Sequence, residues 1–159
     1  MQIQALIQRV ILKYPLLSEN TNWGERGLFY NPNEQFNKGA YVLTFKEKDG
    51  KNDSASRLNG ENRYRLNLKI SKLTFIHLFK TIPKRPAAGG VIEGWYDFTA
   101  VDEVMPHPVY GWMTWVCIIN PTLKTIESME GNGLFDKAYK AAVINIERKC
   151  KVARKKSDF

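Results

Sequence analysis

A histidine held between two prolines is the clearest candidate for chemistry in this chain of 159 residues. His107 follows Pro106 and precedes Pro108, and the fixed φ angle of each proline restricts the backbone around it. An imidazole held in this way suits general acid or base catalysis if a carboxylate orients it, and Asp53 and Asp97 are candidate partners. The alternative is a hydrogen-bonded structural histidine in a tight turn, because no complete catalytic triad is visible.

A polar cluster in a predicted loop at 46–62 is the second candidate. Asp53, Ser54, Ser56 and Arg57 combine small hydroxyls with a guanidinium, which suits a phosphate or carboxylate ligand. The same residue types often satisfy the backbone of their own loop, and neither serine lies in a Gly-x-Ser-x-Gly nucleophile motif. We therefore predict Asp53 and Arg57 as ligand-binding residues and expect no serine nucleophile.

Aromatic residues follow the histidine closely. Tyr110 immediately precedes an apolar run at 111–119 that is typical of a central strand, and Trp112 lies within that run. Alternation along that strand places Trp112 and Trp115 on opposite faces, so we expect one ring in the core and the other beside a pocket near His107. Tyr110 and Trp112 are therefore candidate ligand-binding residues.

Three basic residues share one face of the most regular predicted strand, which runs from Arg63 to Ile70. Side chains alternate between the two faces of a strand, so Arg63, Arg65 and Lys69 lie together. The opposite face, which we expect in the core, carries Tyr64, Leu66, Leu68 and Ile70. A basic face with aromatic residues elsewhere in the sheet suits single-stranded nucleic acid. The alternatives are a face covered by a helix and paired with acidic residues, or a solvated face.

Hydrophobic periodicity predicts the elements that position these residues. The predicted order is an N-terminal helix ending near Pro15, strands at 27–30, 40–46 and 63–70, a helix capped by Ser71, a strand at 111–119, and two C-terminal helices. In the strand at 40–46, alternation places Tyr41, Leu43 and Phe45 on one face and Val42, Thr44 and Lys46 on the other. The predicted fold class is α+β, a single domain with a mainly antiparallel β-sheet packed with an N-terminal helix and C-terminal helices.

The net charge of +8 is concentrated at the C-terminus. Six of the 24 basic residues lie at 148–156 and Asp158 is the only acid after Glu147, so the first 147 residues keep 18 basic against 15 acidic residues. We therefore predict a domain at 1–147 and a basic tail at 148–159. A solvated tail is the expected role, and contact with phosphates or anionic lipid is the alternative.

Several classes of protein are disfavoured by what the chain lacks. No run approaches the roughly 18 apolar residues of a membrane span, and polar residues interrupt the region where a signal peptide would lie. Cys117 and Cys150 are expected to be free thiols, and the histidines and cysteines lack the usual zinc-ligand spacings. We expect a cytoplasmic protein without a metal or cofactor.

The segment YDFTAVDEVMPHPVYGWMTWVCIINP at 96–121 resembles an uncharacterised bacterial family, a domain of unknown function, with the signature DFTALD...PHPVYGWM.WVCVLNP. The resemblance extends to DSASRL and YRLNLKI within 53–70, to TFIHLF at 74–79 and to FDKAY at 135–139, but not to the 81–94 loop or the basic tail. More distantly, the order of a strand reading RLNLK, a helix, a tryptophan-bearing strand and a final helix is similar to the MmcQ/YjbR-like domains. That similarity implies an α+β fold, sometimes described as a double-wing DNA-binding shape.

Three hypotheses of function follow. The first is a binding module for a ligand, such as an anionic small molecule, or for nucleic acid, using the face of Arg63, Arg65 and Lys69 or the loop that carries His107. The second is a small cofactor-free enzyme with His107 as general acid or base. The third is a protein-interaction module, for which a large exposed apolar patch would be the sign.

Overall fold

The computed structural model describes residues 1–60 and 62–158, so Glu61 in the predicted loop and Phe159 at the end of the predicted tail lie outside the described residues. The helices are α1 (Ile3–Lys13), α2 (Lys72–Phe79), α3 (Leu123–Gly131) and α4 (Leu134–Ser157). The strands are β1 (Leu17–Asn22), β2 (Glu25–Tyr30), β3 (Ala40–Lys46), β4 (Arg65–Lys69), β5 (Met105–Pro106) and β6 (Trp115–Ile119). They form one sheet in the order β1-β2-β3-β4-β6-β5, with antiparallel neighbours throughout.

The helices pack on one face of this sheet, here called the helix-covered face. Apolar side chains recur at helical spacing in α1 and α4 and alternate in the strands, so both sets meet in one core. The core includes Leu6, Ile7 and Val10 of α1, Phe135, Ala138 and Ala142 of α4, and Leu43, Leu66, Leu68 and Ile118 of the strands. The predicted single α+β domain is confirmed.

The first hairpin is an addition to the predicted elements, because the sequence analysis assigned no strand before residue 27. β1 pairs with β2 from Leu17 opposite Tyr30 to Asn22 opposite Glu25. β1 is an edge strand with mixed polar residues and little burial, so it lacks the apolar alternation that identifies a strand.

A β-bulge in β3 corrects the predicted alternation. Leu28 of β2 pairs with Leu43, but Phe29 pairs with Tyr41, which leaves Val42 as an extra residue. Val42 therefore packs into the same core as Leu43. Tyr41 turns to the opposite face, where its ring lies 5.4 Å from that of Trp115.

The strand predicted at 111–119 begins later than expected. Residues Gly111–Met113 form a short 3-10 turn, and Thr114 adopts a left-handed conformation with φ of 66° before β6 starts. The placement of Trp112 and Trp115 on opposite faces of one strand was therefore wrong, because Trp112 precedes the strand.

Two long connections cover the other face of the sheet, here called the loop-covered face. They run from residue 47 to 64 and from residue 80 to 104, and they bury Leu58 and Ile92. At the C-terminus, the basic residues from Arg148 to Lys156 continue α4 as far as Ser157. Within the described part of the chain, each helix is too short or too polar to cross a bilayer.

Candidate functional site

Arg65 is the centre of a buried polar layer on the loop-covered face. Its side chain is fully buried, and a guanidinium has five N–H donors and no acceptor. Two donors reach the carboxylate of Asp53, at 2.9 Å from Nη1 and 2.6 Å from Nη2. The others reach Asn67 Oδ1 at 2.8 Å, Ser56 Oγ at 2.9 Å and His107 Nε2 at 2.9 Å. Four of the five donors have an oxygen acceptor, and the fifth faces a ring nitrogen of His107.

His107 is buried and is surrounded by N–H donors. The backbone N–H groups of Val109 and Tyr110 donate to Nδ1 at 3.0 and 2.9 Å, while Arg65 faces Nε2. Burial, together with the nearby charges of Arg65 and Lys46, holds the pKa of His107 well below its usual value. The ring is therefore neutral at pH 7. A neutral imidazole carries a hydrogen on one nitrogen and a lone pair on the other, so it accepts either at Nδ1 or at Nε2, whereas an imidazolium would accept at neither.

The two carboxylates considered as partners of His107 lie in different places. Asp53 Oδ2 is 3.9 Å from His107 Nε2, and its own hydrogen bonds are to the guanidinium of Arg65. Asp97 is exposed in its loop and accepts from the backbone N–H and hydroxyl of Thr99 at 3.0 and 2.6 Å. The ring of His107 is thus oriented by Arg65 and by its own loop.

The polar layer continues from Arg65 across β3 to β2. Asn67 Nδ2 donates to Thr44 Oγ1 at 3.0 Å, and that hydroxyl donates to Glu25 Oε2 at 3.1 Å. Lys46 Nζ donates to Glu25 Oε1 at 3.1 Å. The two cations of the layer are therefore balanced by two carboxylates, Asp53 and Glu25.

Cys117 lies in the same layer of side chains as a buried free thiol. Its Sγ is 3.7 Å from the carbonyl oxygen of Pro106. Burial raises the pKa of Cys117 to about 12, so the sulfur is protonated at neutral pH and is not a nucleophile.

A cavity of about 240 Å³ opens beside the polar layer, between the β1–β2 turn and the loop that carries His107. We call it the aromatic cavity because the rings of Trp23, Tyr41, Tyr110 and Trp115 line it. Its polar lining comes from Asn22, Glu25, Thr44, Asn67 and His107, and Met113 completes it. Small pockets with apolar walls and a few fixed polar groups are the usual form of a ligand site.

Trp23 occupies an unusual position at this cavity. It lies in the two-residue turn between β1 and β2, with φ of 53° followed by 75° at Gly24. Such turns favour Asn or Gly at the first position, since a bulky side chain is strained in the left-handed region. The side chain is 92% exposed, so burial of apolar surface does not offset that strain. Strained residues cluster at functional sites, so the position of Trp23 marks the cavity as a candidate site.

Some predicted site residues lie together and others do not. Asp53 and His107 belong to the polar layer, and Tyr110 lines the aromatic cavity. Arg57 is exposed in its loop, away from the cavity lining. Trp112 faces another depression, with the guanidinium of Arg85 4.8 Å from its ring centre.

The basic residues of the strand predicted at 63–70, namely Arg63, Arg65 and Lys69, do not form an open stripe. Arg65 is fully buried, so no phosphate reaches it. Arg63 donates to the carbonyl oxygens of Ser56 and Thr99 at 3.3 and 3.2 Å and so joins the two covering loops. Lys69 donates to Thr114 Oγ1 at 2.8 Å and to the carbonyl of Met113.

The sequence analysis missed seven residues of the aromatic cavity, namely Asn22, Trp23, Glu25, Tyr41, Thr44, Asn67 and Met113. Tyr41 was assigned to the wrong face because the bulge is invisible in the alternation, and Thr44 and Asn67 had no recognisable motif. Trp23 did carry a signal, since Trp-Gly between two polar segments is an unusual hairpin turn.

Comparison with known proteins identifies a family but no activity. None of the curated proteins and none of the solved structures matches the chain, so the comparisons show no link to the MmcQ/YjbR-like domains. A family model matches residues 1–151, almost the whole chain, as the resemblance of the 96–121 segment led us to expect. The chain belongs to DUF6194, a family of unknown function.

Proposed function

We propose that the protein binds a small, neutral, planar molecule in the aromatic cavity. The observation that carries this proposal is the placement of four aromatic rings around an opening next to a buried polar layer. Aromatic walls hold a flat ligand by stacking and edge contacts, and fixed polar groups set its orientation. The volume of about 240 Å³ suits one ring or a fused pair of rings with small substituents.

The charge balance of the polar layer favours a neutral ligand. Arg65 is paired with Asp53, Glu25 with Lys46, and His107 is neutral. A charged ligand would lose its hydration in the cavity without gaining an unpaired counter-ion.

Asn67 supplies a donor for such a ligand. Within the described residues, its Nδ2 donates one hydrogen bond, to Thr44, although an amide nitrogen has two hydrogens. Asn67 also lines the aromatic cavity. A ligand carbonyl in the cavity would use this second hydrogen, and the rings of Tyr41 and Tyr110 line the same cavity.

The geometry of His107 does not favour proton transfer in this cavity, because Arg65 faces Nε2 and two backbone N–H groups face Nδ1, so the single lone pair of the neutral ring is used within the protein. We therefore propose binding in preference to catalysis. The relation to the MmcQ/YjbR-like domains stays part of the proposal, on the order of elements alone, and adds nothing to the choice of ligand.

A titration with three one-ring probes tests the proposal. Benzamide is neutral, benzoate is anionic and benzyltrimethylammonium is cationic. We expect benzamide to shift the Asn67 side-chain amide and the Trp115 indole signals in ¹H–¹⁵N NMR spectra, and the two ions to bind more weakly. A preference for either ion would overturn the neutral assignment, and the absence of shifts at the cavity with all three would overturn the site.

A matched pair of tryptophan variants locates the binding. Trp23→Ala removes a wall of the cavity, whereas Trp95→Ala removes a fully exposed tryptophan elsewhere. Loss of an aromatic contact is expected to weaken benzamide binding about two- to tenfold in the first variant and not in the second. Equal effects in both variants would contradict the proposed site.

A further inference from the structure

A second and larger depression lies between the C-terminal half of α4 and the start of α2. It has a volume of about 1340 Å³ and is open to solvent, and we call it the basic groove. Apolar side chains cover much of its surface, including Phe36, Leu73, Met113, Ile144 and Val152. Leu73 is 83% exposed and Val152 is 54% exposed, so this surface lacks a cover within the described chain.

The charges of the basic groove have a single sign. Five cations line it, and no aspartate or glutamate is among the described residues that do so. The cations are Lys69, Lys72, Arg148, Lys149 and Lys156. Burial and the neighbouring charge of Lys72 lower the pKa of Lys69, so an anionic group near this pair would relieve repulsion.

Helical periodicity separates the groove from the rest of α4. Residues 141, 144, 145, 148, 149, 152, 153 and 156 line the groove and form one stripe along the helix. Lys151, Arg154 and Lys155 lie on the same helix but outside the lining. The stripe from 141 to 156 extends for about 22 Å, the length of about four helical turns.

We propose that the basic groove binds an acidic amphipathic helix of a partner protein. A helix of about 15 residues matches the length of the stripe, with apolar residues against Leu73, Ile144 and Val152 and acidic residues against the flanking cations. This inference is independent of the aromatic cavity.

The composition of the groove favours this occupant over the two other anionic partners. Nucleic acid binds through phosphates and stacked bases, but the exposed apolar residues here are mainly aliphatic, and the ring of Trp112 lies under Arg85. A membrane surface is met by a projecting apolar face, whereas this apolar surface is concave. Lys149 lies 5.9 Å from the ring centre of Phe36, which places a cation directly beside an apolar contact.

Fluorescence anisotropy with a designed peptide tests the proposal. The probe is a labelled 16-residue peptide with Leu at positions i, i+3, i+4 and i+7 and Glu elsewhere, and its control is a scrambled peptide of the same composition. We expect the ordered peptide to bind more tightly and to lose affinity as salt is added. Equal binding of the two peptides would overturn the helical part of the proposal.

Charge reversals on one helix and its neighbour locate the binding. Lys72→Glu with Lys149→Glu changes the groove, whereas Lys151→Glu with Lys155→Glu makes the same change in net charge outside it. All four side chains are exposed, so each pair is expected to fold. We expect a loss of about tenfold in peptide affinity for the groove pair and less than about threefold for the control.

Apolar truncations complete the test. Leu73→Ser removes an exposed leucine from the groove, and Leu12→Ser removes an equally exposed leucine from α1. Only Leu73→Ser is expected to weaken the binding of the ordered peptide. Groove-dependent binding of a 20-nucleotide single-stranded DNA or of phosphatidylglycerol vesicles, in preference to the peptide, would overturn the proposal, as would equal effects of the groove and control variants.

Discussion

The two faces of the sheet are built on opposite physical principles. The helix-covered face buries aliphatic and aromatic side chains such as Leu43, Leu66 and Ile118 against helices. The loop-covered face places Thr44, Arg65 and Asn67, their direct neighbours in the same strands, under two long loops. The first face needs only apolar contact, whereas the second needs a partner for each polar atom.

The two faces therefore contribute differently: the helix-covered face stabilises the fold, and the loop-covered face fixes the positions of polar side chains. Apolar burial is non-directional and supplies most of the stability of a fold. A buried ion pair contributes little net stability compared with apolar residues of similar volume, but its hydrogen bonds hold side chains in fixed positions. The polar layer holds Asn67, Thr44 and His107 beside the aromatic cavity, which is what a preorganised binding site requires.

The largest expected effect comes from removing a charge from the polar layer. Asp53→Ala leaves the guanidinium of Arg65 buried without its carboxylate, so we expect the free energy of unfolding to fall by about 3–5 kcal/mol. Leu66→Ala, on the helix-covered face, is expected to lower the free energy of unfolding by about 2–5 kcal/mol, because it leaves a cavity in the apolar core. Urea unfolding followed by circular dichroism measures both.

A second substitution tests whether an unpaired buried charge causes the loss of stability in Asp53→Ala. Adding Arg65→Met removes that charge, so the double variant is expected to be more stable than Asp53→Ala alone. If the double variant is instead less stable, the buried charge is not the cause of the loss and the contrast between the faces fails.

The next effect is a dependence of the free energy of unfolding on pH, which is expected from His107 on the loop-covered face. The folded-state pKa of His107 is lowered, so its contribution to stability is complete above about pH 6.5 and is lost as the pH falls below that value. We expect the free energy of unfolding to decrease by up to about 1.4 kcal/mol per pH unit between pH 6.5 and 5. Urea unfolding at several pH values in this range measures the slope, and His107→Gln should abolish most of it. An equal slope in that variant would assign the effect to other groups.

A smaller effect of opposite sign is expected at Trp23. Trp23→Asn relieves a strained left-handed residue at an exposed position, so we expect stability to increase by about 1 kcal/mol. The same change removes a wall of the aromatic cavity and should weaken benzamide binding. Thermal unfolding and the NMR titration check both parts, and a loss of stability would show that Trp23 supports the fold.

The smallest effect is expected at Arg57, in the same loop as Asp53. Its side chain is exposed, so Arg57→Ala is expected to change the free energy of unfolding by less than about 0.5 kcal/mol. The comparison with Asp53→Ala, under the same urea unfolding conditions, isolates burial as the cause of the difference. A large effect of Arg57→Ala would mean that the loop as a whole, and not the ion pair, stabilises this face.

Regular elements were the most predictable part of the fold. The stripe of α1 was predicted because that helix buries one face against a single partner layer, and burial leaves a period in the sequence. The bounds of the strand at Ala40–Lys46 and the cap at Ser71 were also predicted, although the alternation within that strand was not. β1, the bulge at Val42 and the 3-10 turn at Gly111 leave no such period. β1 is a polar edge strand, the bulge keeps two consecutive residues on one face, and the 3-10 turn is held by hydrogen bonds within 107–114, so none of them repeats an apolar residue at a fixed spacing.

The site was predictable only in its separate parts. The sequence by itself determined that Arg65 and Asn67 point away from Leu66 and Leu68, since alternation in a strand is a local property. Only the tertiary structure decided that this face is buried, because Asp53 and His107, 12 and 42 residues from Arg65 along the chain, close over it. A charged residue can be buried only where its partners meet, and that meeting is set by the path of two loops.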